Sequence, residues 1–557
     1  MAVSGYGKWF DLAEKDIITQ ELDGMEYRYY KTKVKNLWQD FMQNAAKYPD
    51  KVALKTGDQS LTYHELEEEV KKFASGLAKR FQVQKGDVIA LLMVNSIEFC
   101  LGFYASMYLG AIAAPLSTKL KATELKFMLQ DSGARIIIAN PDWLPNILPF
   151  LNETRVEVII ATKPVKRNFN AIFGNATMRP FTEVFTGKII PPVIVSQDDG
   201  AVIMYTSGTT GYPKGAYLTH FNLLQSIISY ERTLQLTPWD TTLIAVPIFH
   251  ITGLAALFLL FMHIGGTVYL LPFFNTEETL AMLERNNITF FHASPTVYIM
   301  LLEHGYGNYL LPNLRKAACG SGAISVRTIK ELKKWLPQLE FHTVYGLTET
   351  SSPATLFPGD VATSPHIGTS GLPIPVADCK IIDANGNDIT GTGEGELCIR
   401  GPMVAEQYWH NPEATARVFR DGWFRTGDIA RIDAEGYVYI LDRLKDMINR
   451  GGEKIYSLEI ENVIYSHPQV KEVAVVGTPD PIYGEVARAV IVPDRPGSIT
   501  GSEIQEWVRN RLAKYKVPQY VDFVEELPKN ANGKIIKKLL RQQSTKSISK
   551  LGSVSNT

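Results

Sequence analysis

The densest group of polar side chains lies between Tyr205 and Gly215, in the order Tyr-Thr-Ser-Gly-Thr-Thr-Gly-Tyr-Pro-Lys-Gly. Glycines let a backbone approach a ligand closely, and successive N–H groups with hydroxyls around them form a nest for anions. Lys214 adds a positive charge. A Walker A loop would place Ser or Thr after the lysine, but Gly215 follows it. The segment therefore predicts a polyphosphate loop outside the P-loop class, and an ordinary hydroxyl-rich surface loop is the competing interpretation.

Two further segments carry chemistry that suits a nucleotide. Tyr345-Gly-Leu-Thr-Glu349 follows an apolar, strand-like run, and its carboxylate is the kind of oxygen ligand that Mg²⁺ prefers. Asp428 ends the segment Trp-Phe-Arg-Thr-Gly-Asp, and a carboxylate accepts hydrogen bonds well from a vicinal diol. Taken alone, Glu349 could equally be a solvated residue at a strand end. Together with the phosphate loop, the three segments indicate a site for a magnesium nucleotide.

The phosphate loop resembles the signature of the adenylate-forming superfamily, which includes acyl-CoA synthetases, aryl-CoA ligases, peptide-synthetase adenylation domains and beetle luciferases. The resemblance continues in order to the C-terminal part of the chain. It implies that ATP and Mg²⁺ bind here, that Thr348 contacts the α-phosphate, and that Glu349 and Thr206 hold the metal. The nucleotide-binding residues that it implies are Thr206, Ser207, Gly208, Thr209, Thr210, Lys214, Gly320, Ser321, Gly322, Ala323, Tyr345, Gly346, Asp428 and Arg443.

The resemblance also implies catalytic roles for Lys534 and His250, beside Thr348. Lys534, in Pro-Lys-Asn-Ala-Asn-Gly-Lys, would bridge the attacking carboxylate and the α-phosphate, two groups of like charge that a cation stabilises best in a dry site. His250, in Pro-Ile-Phe-His-Ile-Thr-Gly, would lie by the reacting carboxylate and the thiol channel, and a structural histidine is the alternative. Lys445 would be the hinge, and Gly451 and Gly452 would border the CoA channel.

The elements that position these residues alternate along the chain. Apolar runs such as Val88–Met93, Ile136–Ala139 and Ala201–Tyr205 predict strands, and helical spacing between them predicts α/β layers with largely parallel sheets. A charged segment and a glycine turn then precede a compact α+β pattern. We therefore predict a large N-terminal domain of layered α/β subdomains (residues 1–444), a small mobile α+β domain (445–541) and a disordered tail (542–557).

Composition excludes several classes of protein. The 57 basic and 58 acidic residues give a net charge of −1, which does not fit a nucleic-acid binder. The four cysteines, at positions 100, 319, 379 and 398, form no Cys-x-x-Cys pair and predict buried thiols in a reducing compartment. The apolar stretch 254–274 is interrupted by glycine, histidine and proline, which indicates a buried helix and a core strand rather than a membrane span. A cytoplasmic protein is expected, and a homodimer is an assembly to test.

The expected reaction is ligation of a carboxylic acid to CoA through acyl-AMP. No carboxylate lies beside His250, so an α-amino acid would leave its ammonium group unpaired, and an amino-acid-adenylating enzyme is disfavoured. Aromatic residues suggest a pocket for an acyl chain or a phenyl ring. We expect a medium- or long-chain fatty acid, with an aryl-propenoic acid as the alternative. The residues expected around the acid are Tyr230, Phe249, Phe258, Phe261 and Tyr298.

Overall fold

The chain is mixed α/β, with a large N-terminal part and a small C-terminal part. The computed structural model describes residues 2–22, 25–163, 172–173, 176–206, 212–529 and 535–542. Within these residues, eight strands form one mostly parallel sheet. In spatial order they are Ile172–Phe173, Ala176–Pro180, Val158–Ala161, Ile136–Ala139, Val88–Leu92, Ile112–Pro115, Gly200–Thr206 and Lys214–Thr219.

A second sheet of nine strands packs beside the first and carries much of the site. Its spatial order is Leu372–Pro373, Thr355–Leu356, Glu340–Tyr345, Lys316–Cys319, Phe290–Ala293, Thr241–Ile244, Thr267–Leu270, Val52–Thr56 and Gln59–Thr62. The central strands run parallel. Loops that follow the carboxyl ends of parallel strands meet at one edge of a sheet, where open α/β folds bind their ligands.

Three smaller sheets complete the fold. One contains Val3–Ser4, Asp378–Ile382, Gly395–Arg400, Phe419–Arg420, Trp423–Ile432 and Val438–Arg443. A second pairs Ile17–Leu22 with Met25–Tyr30. The C-terminal sheet contains Ile448–Arg450, Glu453–Ile455, Val470–Asp480, Gly484–Pro493 and Tyr520–Phe523, and packs around its own buried apolar residues.

Helices cover the sheets. The helix Ile97–Leu109 begins after Ser96, whose side chain accepts a hydrogen bond from the Phe99 N–H, and ends at Gly110 in the left-handed conformation. The other α-helices are Asp11–Glu14, Leu37–Lys47, Tyr63–Phe81, Ala122–Ser132, Phe181–Val184, His220–Leu234, Ile251–Gly253, Leu260–Ile264, Thr276–Arg285, Pro295–Gly305, Val326–Trp335, Pro412–Val418, Ser457–Tyr465 and Gly501–Arg509, together with residues 537–542. A π-helical turn, Leu254–Leu259, joins two of them, and 3₁₀ turns occupy Pro141–Asn146, Leu148–Glu153, Thr348–Thr350, Val361–Thr363 and Lys514–Lys516.

These elements confirm the predicted layering. The stretch from residue 254 forms buried helix and then the core strand Thr267–Leu270, as expected. None of the helices in the described ranges is long and apolar enough to cross a membrane. The four cysteines are buried free thiols. The predicted tail lies outside the described residues from 543 onward.

Candidate active site

Four neighbouring parallel strands deliver the predicted residues to one edge of the nine-stranded sheet. Thr241–Ile244 leads to the loop with His250, and Phe290–Ala293 leads to the helix that begins at Pro295. Lys316–Cys319 leads to the turn 320–323, and Glu340–Tyr345 leads to the turn that ends in Glu349. Adjacency of these strands in the sheet therefore brings together residues that are a hundred positions apart in sequence.

The mouth of the phosphate loop is a β-hairpin. Thr206 pairs with Lys214 across antiparallel strands, and the Thr206 hydroxyl donates to the Lys214 carbonyl at 3.4 Å. This pairing holds Thr206 and Lys214 side by side at the edge of the eight-stranded sheet. Ser207, Gly208, Thr209 and Thr210 lie outside the described residues.

Tyr408 links the phosphate loop to the predicted metal ligand. Its hydroxyl donates to Oε1 of Glu349 at 2.7 Å, and the Lys214 ammonium lies 5.1 Å from its ring centroid. Burial raises the pKa of Glu349 above its usual range, and the Tyr408 hydroxyl with the positive charges of Arg443 and Lys214 partly offsets this effect. Glu349 is therefore an almost buried carboxylate that faces cations and a hydroxyl donor.

The predicted ribose site is a second buried carboxylate. Asp428 pairs with Arg443 on the neighbouring strand, with 2.9 Å between Arg443 Nε and Asp428 Oδ1. The Tyr345 hydroxyl donates to Oδ2 at 2.7 Å. Although Arg443 is close, its N–H direction does not make a hydrogen bond, so Oδ1 accepts none from the described residues. A buried carboxylate oxygen with this open acceptor position suits a ribose hydroxyl.

The turn Gly320–Ala323 lies against the loop that carries His250. Ser321, in the left-handed conformation, has its hydroxyl 3.4 Å from that of Thr252. Glycine suits position 320, because a Cβ there would make a tight contact of 3.2 Å with the Val344 carbonyl oxygen. The positions from Ser321 to Ala323 are exposed, so this turn offers a flat backbone surface that would suit a base.

Asn95 fixes the His250 loop, a role that no sequence motif indicates. It is 2% exposed, its Nδ2 lies within 3.1 Å of the carbonyl oxygens of Ile244, Val246 and Leu271, and its Oδ1 accepts from the Ile248 N–H at 2.8 Å. A side chain with two donors and an acceptor can satisfy a loop in this way. Asn95 and Tyr408 are the two contacts of the site that sequence reasoning missed.

Lys445, the predicted hinge, lies between a hydrogen bond to the large part of the chain and an ion pair within the small part. The Leu444 N–H donates to the Gly427 carbonyl at 2.9 Å, in the sheet that contains Asp428. One residue after Lys445, Asp446 pairs with Arg541 at 2.6 Å, near the end of the described chain. Burial lowers the pKa of Lys445.

The other predicted positions are more dispersed. Gly451 and Gly452 form the turn of a hairpin and have positive φ angles. Gly452 lines a cavity of about 780 Å³ together with Gly368 and Tyr439. Residues of both the large and the small part of the chain therefore line this cavity. Lys534 lies outside the described residues. The described residues on either side of it pair with each other: Lys529 forms an antiparallel β-bridge with Ile535.

Tyr298, one of the residues expected around the acid, lies apart from the others. Tyr298 packs on the opposite face of the nine-stranded sheet, where its hydroxyl lies 3.0 Å from the Phe291 carbonyl oxygen and 2.9 Å from that of Ala318. Tyr230, Phe258 and Phe261 share the other face, with the helices. The apolar composition of the segment predicted burial but could not assign the face.

Comparisons with known proteins agree with this arrangement. The sequence model of the AMP-binding enzyme family matches residues 41–409, and that of the AMP-binding enzyme C-terminal domain matches residues 459–534. A feruloyl-CoA synthase from an Amycolatopsis species is 35% identical over 90% of this chain and 98% of its own length. The long-chain-fatty-acid–CoA ligase FadD13 of Mycobacterium tuberculosis is 35% identical over 84% of this chain and 90% of its own length.

A solved structure resembles the whole fold. The anthranilate CoA ligase AuaEII, in complex with anthranoyl-AMP, superposes with a TM-score of 0.85 at 26% identity and covers 94% of this chain and 98% of its own. The family model matches well over half of the chain. The two relatives are AMP-forming CoA ligases, and this chain covers 98% and 90% of their respective lengths. The chain therefore belongs to the AMP-binding enzyme family, among the adenylate-forming CoA ligases.

Proposed function

We propose that this protein ligates a compact, non-amino carboxylic acid to CoA. The carboxylate attacks the α-phosphate of ATP to give acyl-AMP and pyrophosphate, and the CoA thiol then displaces AMP from the acyl carbon. One observation carries the proposal: the short turn 345–349 connects two buried carboxylates. At one end, Tyr345 hydrogen-bonds Asp428, which suits a ribose diol. At the other end, Glu349 lies beside the hairpin of the phosphate loop through its contact with Tyr408.

The residues present fit Mg²⁺ as the nucleotide's counter-ion. Glu349 and Thr206 would hold it with oxygen atoms. No cluster of three or more His, Cys, Asp or Glu residues forms a metal cage in the parts of the chain that the structure covers. That suits Mg²⁺, which takes few protein ligands and keeps phosphate oxygens and waters. When bound, it neutralises phosphate charge during the displacement.

Two orientations of the small domain relative to the large one would serve the two half-reactions. Lys534 would stabilise the oxyanions of the first step and must then leave room for the thiol. We place the domain boundary at Lys445, with domains of 1–444 and 445–541. The ties of Leu444 to the large domain and of Asp446 to the small one support a pivot there. After the swing, Gly451, Gly452 and His250 would border the path of CoA.

The acid pocket favours a compact acid over a long alkyl chain. The helical face beyond the His250 loop is filled, since Tyr230, Phe258 and Phe261 are fully buried and touch no water-sized space. A long chain would have to displace several of these side chains, whose packing is close. A compact aromatic or aryl-propenoic acid needs less room, and the feruloyl-CoA synthase relative supports this class. FadD13 supports the fatty-acid alternative.

The test is acid-dependent pyrophosphate release with ATP and Mg²⁺, across acids from acetate to palmitate together with benzoate- and cinnamate-type acids, with and without CoA. We expect a CoA-dependent steady rate with the aromatic acids. A rate that rises with alkyl chain length up to palmitate would instead establish the fatty-acid alternative. No release with any acid would refute the proposed function.

The roles of the two domains are tested with Lys534→Ala, with Lys529→Ala as the matched control. Lys529 lies five residues earlier and pairs with Glu472 at 2.6 Å. We expect Lys534→Ala to abolish acyl-AMP formation while thioester formation from supplied acyl-AMP is largely kept, and Lys529→Ala to change neither step. Equal loss of both half-reactions in Lys534→Ala would contradict the assignment.

A further inference from the structure

His292 is a buried side chain whose polarity the fold does not satisfy. It lies in the strand Phe290–Ala293 and is 1% exposed, and within the described part of the chain neither Nδ1 nor Nε2 has a hydrogen-bond partner. Burial lowers the pKa of His292 to about 3, so the ring is neutral near pH 7. A neutral imidazole offers one donor and one acceptor. Leaving such groups unpaired in the interior is unfavourable, so the arrangement needs an explanation.

The two other histidines that are buried to this degree are better satisfied. His342 lies in the same row across the sheet, and its Nδ1 is 3.0 Å from the Phe357 carbonyl oxygen. His220 accepts from the Leu37 N–H at its Nδ1, at 3.3 Å. A buried histidine in this fold therefore has a partner on at least one ring nitrogen, and His292 is the exception among those described.

The ring lies directly behind the candidate active site. A Cβ added at Gly320 would be 3.3 Å from His292 Nε2, so only the glycine backbone separates that nitrogen from the exposed turn. On its other side, the ring of Tyr230 is edge-on at a centroid distance of 6.1 Å. The Tyr230 hydroxyl pairs with Ser352 Oγ at 2.8 Å, which ties this wall to the segment just after Glu349.

We propose that His292 is a specificity-determining residue that hydrogen-bonds a hydroxyl group on the body of the acid. The proposal rests on the proposed ligase function and names its substrate class as hydroxylated acids. A hydroxyl can donate or accept, so it can pair with Nε2, the ring nitrogen nearest Gly320, whichever tautomer the neutral ring adopts. A second carboxylate fits worse, because the ring's neighbours are Gly320, Tyr230 and Phe290 rather than a cation, and a buried unpaired anion is costly.

The experiment compares acids that differ by one hydroxyl: cinnamate with 3- and 4-hydroxycinnamate, and benzoate with 3- and 4-hydroxybenzoate. The readout is the ratio of kcat/KM for acyl-CoA formation within each set. A site built to bond a hydroxyl rejects the analogue that lacks it, so we expect the wild type to favour one hydroxylated member by about tenfold or more. A wild type that prefers the unsubstituted acid in both sets would overturn the proposal.

Variants assign the preference to the ring. His292→Phe should reduce the ratio to about one, whereas His292→Gln, which keeps a donor and an acceptor, should retain part of it. His342→Phe is the matched control, since it removes a buried imidazole two strands away and should leave the ratio unchanged. A merely structural role of His292 would lower kcat/KM equally for both acids and preserve the ratio in His292→Phe, which would refute the proposal.

Failure of the ligase function remains distinguishable. If no acid releases pyrophosphate, the same acid sets are compared by the shift in Tm that they cause in the presence of AMP. A hydroxyl-dependent shift in the wild type that His292→Phe loses would support the subsite without any turnover. Equal shifts from hydroxylated and unsubstituted acids in the wild type would overturn it. Should His292→Phe fail to fold, His292→Leu removes the same polar atoms with less volume and is read in the same way.

Discussion

Removal of the Asp428 carboxylate should weaken nucleotide binding far more than it weakens the fold. Oδ1 is the oxygen left without a hydrogen bond, while Oδ2 already accepts from Tyr345. Each hydrogen bond to a charged group contributes about 1.5–3 kcal/mol. Loss of one such bond to the ribose predicts a Kd for AMP or ATP that is about 10- to 150-fold higher in Asp428→Ala. The ion pair itself adds little, because Arg443 is 37% exposed and water screens it.

Isothermal titration with AMP, and the KM for ATP, measure this effect against a matched ion pair in the nine-stranded sheet, away from the strands that carry Asp428 and Arg443. Asp240 is 2% exposed and pairs with Arg315, which is 40% exposed, so Asp240→Ala removes a similar buried carboxylate just before the strand Thr241–Ile244. We expect Asp240→Ala to lower Tm but leave the Kd for AMP unchanged. Equal losses of affinity in the two variants would mean that Asp428 acts only through stability, and unchanged affinity in Asp428→Ala would refute the ribose assignment.

Three further predictions address the metal ligand, the fold and the hinge. Tyr408→Phe removes a hydrogen bond that lowers the pKa of Glu349, so the acid limb of the pH profile of kcat/KM for ATP–Mg²⁺ should move to higher pH; an unmoved limb would contradict the contact. Burial opposes protonation of His263, but the carboxylates of Asp40 and Glu231 raise its pKa to about 10. Because this folded-state pKa exceeds the unfolded value of about 6.5, the stabilisation is complete below about pH 6.5 and is lost as pH rises to about 10; Tm should fall less steeply over that range in His263→Gln, and equal slopes would refute the link. Lys445→Pro fixes φ at the pivot and should slow thioester formation more than acyl-AMP formation in single-turnover assays, whereas equal rates would move the hinge elsewhere.

Local patterns predicted the scaffold well. The apolar run Ile136–Ala139 is a strand with those bounds, and the runs Val88–Met93 and Ala201–Tyr205 are strands within one residue of the predicted ends. These features depend on neighbouring residues, because a short continuous apolar run is typical of a buried strand. The order of the strands and the loops at their carboxyl ends then placed Glu349 close to Lys214 through Tyr408, and Tyr345 beside Asp428.

Contacts between distant segments could not be predicted in the same way. Tyr298 and Tyr230 are both buried aromatic residues, yet they lie on opposite faces of one sheet, and composition does not distinguish those faces. Tyr408 reaches Glu349 only because its segment runs beside the strand Lys214–Thr219. An unsatisfied ring such as that of His292 is visible only when all of its neighbours are known. Such partners are set by tertiary packing, which a single sequence does not specify.

The contacts around the proposed hinge would constrain the proposed reaction. Asp442, just before Lys445, is buried and accepts hydrogen bonds from both the N–H and the hydroxyl of Ser457, which lies after it. A rotation about Lys445 alone separates these two residues and breaks both bonds, at a cost of about 1.5–3 kcal/mol each. The Asp446–Arg541 pair, in contrast, lies entirely on the small-domain side and travels with it. The described orientation therefore has its own stabilising contact, and the proposed swing would require interactions in the acyl-AMP state or with CoA that offset its loss.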